Sequence, residues 1–481
     1  MQQLSGLDAS FLYFETGNAP MHIGGFAIYD PSTMSAPLSY ERFLANTERR
    51  LHLARCFRQK LAVVPLDLDH PYWIEDESFD LEFHVRHIAL PPPGDWRQLC
   101  TQVARLHSRP LDLSKPLWEM YLIEGLDRID GIPKRSFAIA TKIHHAAIDG
   151  VSGSELIAAI HDTRPDAQPA PPVKTWVPER TPSGPELLVR SLANNVTQPF
   201  RLGRALAQTV PAWRRADQQR KSDRHEPIGA VPRTRFNGIV TGHRVAGGIA
   251  LDLDAIRAIK KSVPGATVND VILAVCGGAL RRYLEAKGEL PEESLIAMAP
   301  ISVRAAADAG TAGNRVSTMS VAVRSDIADP AERLEAVFRG TQSQKKLNEA
   351  IGASLLTDMT QFMPGMLAGL AARAYTGLGL ANWVNPFFNT VITNVPGPQT
   401  PLYSAGARLV ANYGMGPIMD GMGLIHPIFS YCGEVTVSFT SCREMLPDPE
   451  LYEECLQASF DALVTAVLGH AAPRTRGGNA A

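Results

Sequence analysis

The chain has 481 residues, 45% of them hydrophobic and 20% charged, with a formal net charge of -2 and a pI near 6.7. That length accommodates about two to four domains of ordinary size and a large core, and the near-neutral balance gives no global attraction to nucleic acid, which is therefore not an expected partner. The six cysteines are scattered without a CxxC pair, the usage of reduced cytoplasmic thiols rather than of a disulfide framework. Met1 to Ser5 lacks the basic start and apolar core of a signal peptide, and the longest uncharged stretch, Ala374 to Ala407, is interrupted by asparagines and prolines, which argues against a membrane-spanning helix. A cytoplasmic protein is expected.

In chain order, LSGLDASFLYFE and GNAPMHIGG precede a strand at Phe26-Ala27-Ile28. Tyr40 to Leu53 has the apolar spacing of a covering helix. Phe79 to Ile88 alternates in part and ends at Pro91-Pro92-Pro93-Gly94, and Trp96 to Arg109 reads as a second amphipathic helix. Pro116 to Leu126 is apolar enough for a strand buried on both faces, with Trp118 read as packing. A polar loop then leads to a buried strand at Phe137-Ala138-Ile139-Ala140.

That strand runs into Thr141-Lys142-Ile143-His144-His145-Ala146-Ala147-Ile148-Asp149-Gly150. Histidine exchanges a proton near neutral pH, which suits general acid-base chemistry. In an extended segment adjacent residues face opposite ways, so only one imidazole can enter a given pocket. His145 is taken as the base and His144 as the residue behind it. Asp149 either orients a histidine or braces the turn, and Gly150 permits the positive φ of a tight exit. Two other readings compete: a structural histidine pair, and a metal site using His145 and Asp149, for which no third ligand stands at zinc-type spacing.

Beyond the motif, Val151 to Ile160 reads as a short helix starting near Ser152, its amides available to an anion. Arg164 to Pro185 is a Pro-rich connector, and Glu186 to Arg224 is a basic helical segment. A second α/β set follows: a helix over Ala250 to Ser262, a helix opened by Thr267-Val268-Asn269-Asp270, strands at Leu295 to Ile301 and Gly313 to Val321, and a strand at Asn389 to Pro398. Val435 to Thr440 adds a further strand, and Leu451 to Leu468 closes the chain. Asn269 or Asp270 serves as an N-cap or faces the site. Asn394 either ends a strand or contacts substrate.

The HHxxxDG run resembles that of the CoA-dependent acyltransferase superfamily. The ordered blocks LSGLDASFLYFE, PLW, Asn269-Asp270 and NVPGP together resemble the bacterial wax ester synthase/acyl-CoA:diacylglycerol acyltransferase family over Leu4 to Leu468. The resemblance implies an α/β (α+β) fold of two chloramphenicol-acetyltransferase-like sandwich subdomains with a tunnel between them. The halves are expected at 1–163 and 233–481, joined by the connector and basic segment at 164–232. It further implies transfer from acyl-CoA, a substrate rather than a cofactor, to diacylglycerol or a fatty alcohol. His145, His144 and Asp149 would be catalytic, and Gly150, Asn269, Asp270 and Asn394 would bind substrate, with no metal. Apolar substrates imply peripheral contact with the inner membrane or lipid inclusions, for which the basic stretch Phe200 to Arg224 is the expected anchor. The alternatives are another superfamily enzyme acting on a different alcohol, an amine or a carrier-bound acceptor, and a lipid-binding protein without activity.

Overall fold

The computed structural model describes residues 1–148, 153–167, 171, 178–194, 230–302, 316–351 and 374–469. The N-terminal half runs β1 (Gln2–Gln3), α1 (Gly6–Phe14), β2 (His22–Asp30), α2 (Tyr40–Glu48), β3 (Gln59–Ala62), β4 (Tyr72–Glu75), α3 (Leu81–His84), β5 (Val85–Ala89), α4 (Trp96–Ser108), β6 (Trp118–Glu124), β7 (Phe137–His144) and α5 (Gly153–Ile160). After α6, at residues 184–194, come β8 (Arg244–Asp252), α7 (Leu253–Ser262), α8 (Val268–Ala286), β9 (Ile296–Ser302), β10 (Val316–Ala322) and α9 (Pro330–Ile351). The chain then forms β11 (Thr390–Pro396), β12 (Tyr403–Ser404), β13 (Ala407–Met415), β14 (Leu424–Tyr431), β15 (Glu434–Cys442) and a closing helix, Pro449–Leu468.

Two mixed six-stranded sheets organise these elements, one in the order β12-β13-β2-β7-β6-β5 and the other β10-β9-β11-β14-β15-β8, beside a small sheet β1-β4-β3. The strand β7 lies between β2 and β6, antiparallel to both. Its apolar residues are buried on both faces because Phe137, Ile139 and Ile143 enter one cluster while Ala138 and Ala140 enter another against α4. This is why it reads as a continuous apolar run rather than an alternating one. In the second half α8 buries nearly every position from Asp270 to Leu280 in the largest cluster, with the closing helix packed on it.

The sheets do not divide where the sequence does. Strands β12 and β13, from the C-terminal half, complete the N-terminal sheet by pairing with β2. Close approach at β2 depends on glycine: a Cβ on Gly24 would stand 2.0 Å from the Thr141 carbonyl oxygen, and one on Gly25 2.2 Å from that of Tyr413. The pair thus lets β7 and β13 close in on either side.

Other local expectations need correction. Phe79 to Ile88 is not one alternating element, since Asp80 caps the short helix α3 through the Glu82 amide before β5 begins. The helix expected from Ala250 starts at Leu253, capped by Asp252, because Ala250 and Leu251 still pair with β15. The segment around Asp8 is helical, and β13 and β14 had no counterpart in the sequence reading. Ser152, the basic stretch Phe200 to Arg224, and Asp149 and Gly150 lie outside the described residues.

Candidate active site

The final residue of β7 is His144, and His145 opens a single turn of 3-10 helix, His145–Ile148. The two imidazoles part as extended geometry requires. His144 is fully buried. Its Nδ1 accepts the Ala146 amide at 3.1 Å, so the ring proton sits on Nε2, which donates to Glu15 Oε2 at 2.8 Å. Both nitrogens are therefore occupied, and the Ala146 contact ties the start of the turn that carries His145.

His145 is only partly covered. Its backbone amide donates to the Met21 carbonyl at 2.8 Å, and its ring stacks on Phe11 with centroids 3.7 Å apart and planes 11° from parallel. Burial pushes its pKa down to about 4, opposed in part by its own backbone. Near neutral pH the imidazole is therefore uncharged and able to accept a proton.

One helix thus holds both histidines. Phe11 lies on α1 and Glu15 is its C-terminal cap residue, so the element that stacks on His145 also supplies the acceptor for His144. Ser5 caps this helix by accepting the Asp8 amide. The sequence reading passed over Phe11 and Glu15. The Ser5-x-x-Asp8 pattern before an apolar run was the available signal for the helix, but nothing local ties Glu15 to a histidine 129 residues away.

Behind His144 lies a buried polar layer. His22, opposite His144 in register, has Nε2 3.7 Å from Glu15 Oε1 and meets His144 and His107 edge-on. Burial, reinforced by nearby His107 and Lys142, drives the His22 pKa to about 2. Lys142 Nζ pairs with Glu119 at 3.0 Å and donates to the carbonyls of Leu106 and Arg109 at the end of α4. Trp118 packs as expected: it is buried, donates Nε1 to the Phe57 carbonyl and stacks on His84.

The C-terminal candidates separate. Thr267, not Asn269 or Asp270, is the N-cap of α8. Asp270 is fully buried, with Oδ2 accepting the Thr267 amide and hydroxyl at 2.7 Å and Oδ1 accepting the Thr341 hydroxyl at 2.6 Å. Oδ2 thus closes the cap of α8 and Oδ1 holds α8 to α9. Asn269, in the first turn of α8, and Asn394, on β11 beside Ile428 of β14, stay partly exposed. Among the described residues no three His, Cys, Asp or Glu side chains converge as a metal site.

The paired sheets define a class before they define a family. A condensation domain of the calcium-dependent antibiotic synthetase superposes with a TM-score of 0.54 at 13% identity, covering 97% of each chain, a likeness of fold alone. At family level, the wax ester synthase/diacylglycerol acyltransferase catalytic domain matches residues 4–272 and the corresponding C-terminal domain residues 312–464. The wax ester synthase/diacylglycerol acyltransferase of Marinobacter aquaeolei VT8 superposes with a TM-score of 0.68 at 30% identity, over 97% of this chain and 100% of that one. The O-acyltransferase WSD of Acinetobacter baylyi is 32% identical over 93% of both chains. A Mycobacterium tuberculosis protein named as a candidate diacylglycerol O-acyltransferase is 36% identical over 96% of this chain and 91% of its own length. The chain belongs to the wax ester synthase/diacylglycerol acyltransferase family and is an acyltransferase.

Proposed function

We propose that the protein transfers an acyl group from acyl-CoA to the hydroxyl of diacylglycerol or a long-chain fatty alcohol, with His145 as general base. The observation that carries this reading is the partly open His145, stacked on Phe11 at the start of the turn that the buried His144–Glu15 pair ties down. His145 Nε2 takes the proton as the hydroxyl oxygen attacks the thioester carbonyl carbon. The tetrahedral intermediate collapses, the carbon–sulfur bond breaks, and His145 returns the proton to the departing thiolate. Burial makes the imidazolium costly, which favours that rapid return.

Direct transfer needs no acyl-enzyme, and the chain has no GxSxG elbow to form one. Asp149, through the turn, and Gly150 and Asn269, as sources of oxyanion-binding amides, complete the proposed site, with Asn394 against the acyl or alcohol chain. Acyl-CoA enters as substrate and no further cofactor is invoked. Because both acceptors are poorly soluble, the enzyme is proposed to work at a membrane or lipid-inclusion surface inside the cell, away from nucleic acid. No described helix is long and apolar enough to cross a membrane, so that contact would be peripheral.

The test is purified protein with palmitoyl-CoA, offered hexadecanol and dioleoylglycerol in parallel, with thiol release and ester product measured together. Ester formed with at least one acceptor supports the reading. Thiol release without ester, or transfer only to amines, would replace it.

A further inference from the structure

The largest side chains left in water are concentrated on one short segment. Trp383 is 83% exposed, Phe387 82% and Leu378 69%, with Val384 and Ile239 also exposed beside them. The Ile239 side chain lies next to Gly379 of the same segment. Scattered surface leucines need no explanation, but a cluster that includes two nearly bare aromatics does.

The segment is held firmly from below. Ala381 is buried, and Arg233 donates to the carbonyls of Ala381 at 2.8 Å and Val384 at 2.5 Å. Asn237 donates to the Phe388 carbonyl at 2.9 Å. Asn389, fully buried, donates to the Pro232 carbonyl at 2.6 Å and to Asn237 Oδ1 at 2.9 Å. Buried amides thus fix the base of the prong while its tip presents apolar side chains together with the exposed but uncharged amides of Asn382 and Asn385.

Its charge pattern indicates what the tip meets. From Ala374 to Ala407 there is no Asp, Glu, Lys, Arg or His, and the first acid after the prong is Asp420. Asp420 is turned inward, accepting the Val240 amide, with its pKa raised by burial. The cation at the base, Arg233, is exposed, and its contacts among the described residues are backbone carbonyls rather than carboxylates. An uncharged tip above an arginine fits the acyl region of a lipid surface with phosphate headgroups at the rim, where tryptophan favours the interface. A protein partner would be expected to meet charged groups around the tip.

We propose that the prong formed by Leu378, Trp383, Val384 and Phe387 inserts into a lipid surface and docks the enzyme on the phase that holds its acceptor. The identity of that phase rests on the proposed function; the docking itself is measured without substrate. The experiment is flotation of the full chain with vesicles of phosphatidylcholine, with and without phosphatidylglycerol. It compares wild type, Trp383→Phe, and Trp383→Ala combined with Phe387→Ala, with melting curves and sedimentation of each protein.

The double variant should partition at least about tenfold more weakly, since two apolar anchors are lost, with an unchanged melting temperature because both side chains are exposed. Trp383→Phe should still float but lose the blue shift of tryptophan emission that wild type shows on binding. Equal flotation of the double variant and wild type would overturn the proposal. So would a wild-type dimer that the double variant dissolves, without vesicle binding by either, which would assign the prong to a second copy of the chain. Because no acyl donor or acceptor is present, these results stand apart from success or failure of the transfer assay.

Discussion

Each half of the molecule buries a histidine under similar pressure, and the two fare differently. Burial pushes both His145 and His426 down to about 4. His426, on β14, is sealed: Nδ1 lies 3.0 Å from the Thr390 hydroxyl and Nε2 2.7 Å from the Tyr452 hydroxyl. His145 has one face on Phe11 and partial access from outside. A lowered pKa therefore marks burial in both, and only geometry separates the proposed reactive imidazole from the structural one.

The widest separation should come from deleting each ring. His145→Ala is expected to lower kcat by about 10² to 10⁴ while the melting temperature holds. His426→Ala should leave the buried hydroxyl of Tyr452 without its partner, while Thr390 keeps the Leu424 carbonyl, and destabilise the fold by about 1–3 kcal/mol, with the folded fraction still turning over. Kinetics and thermal melts on the two variants check this; reversed outcomes would dissolve the contrast.

A smaller effect is expected at Glu15. Glu15→Leu strands the buried Nε2–H of His144, so stability should drop by about 1–3 kcal/mol and kcat should fall more than KM changes. Glu15→Gln keeps an acceptor oxygen and should recover most of both. If the two variants behaved alike, the carboxylate's role in positioning His144 would be refuted.

A last effect, absent at neutral pH, is the pH dependence the buried histidines share. His22, His107, His145, His161 and His426 have folded pKa values of about 2, 3, 4, 4 and 4, below the roughly 6.5 of an unfolded histidine. Between those values the unfolded chain binds protons that the folded chain does not. Stability is thus unaffected by these groups above about pH 6.5 and falls as pH drops from there toward 4, by up to about 1.4 kcal/mol per unit for each ring. Denaturant titrations across that range should show the decline, shallower in His426→Ala than in wild type.

What the sequence disclosed follows the range of the interactions involved. The burial of β7, the helix α4 and the apolar run of α8 are written in local periodicity, and the motif placed His144 and His145 at a strand end. The pairing of β13 with β2 joins residues nearly four hundred apart, and no local pattern announces it. The same holds for Glu15 and His144. At Asp270 a capping-box acid and a substrate-facing acid look alike in sequence, and only the fold shows Thr341 on its other oxygen.

The central claim, direct transfer assisted by His145, is tested most directly by giving the protein palmitoyl-CoA with no acceptor. Thiol release and the intact mass of the protein are followed, and the alcohol is then added. The account predicts no acylated protein and no stoichiometric thiol burst, with release starting only when the alcohol arrives. One equivalent of thiol together with a palmitoyl adduct on the protein would contradict it.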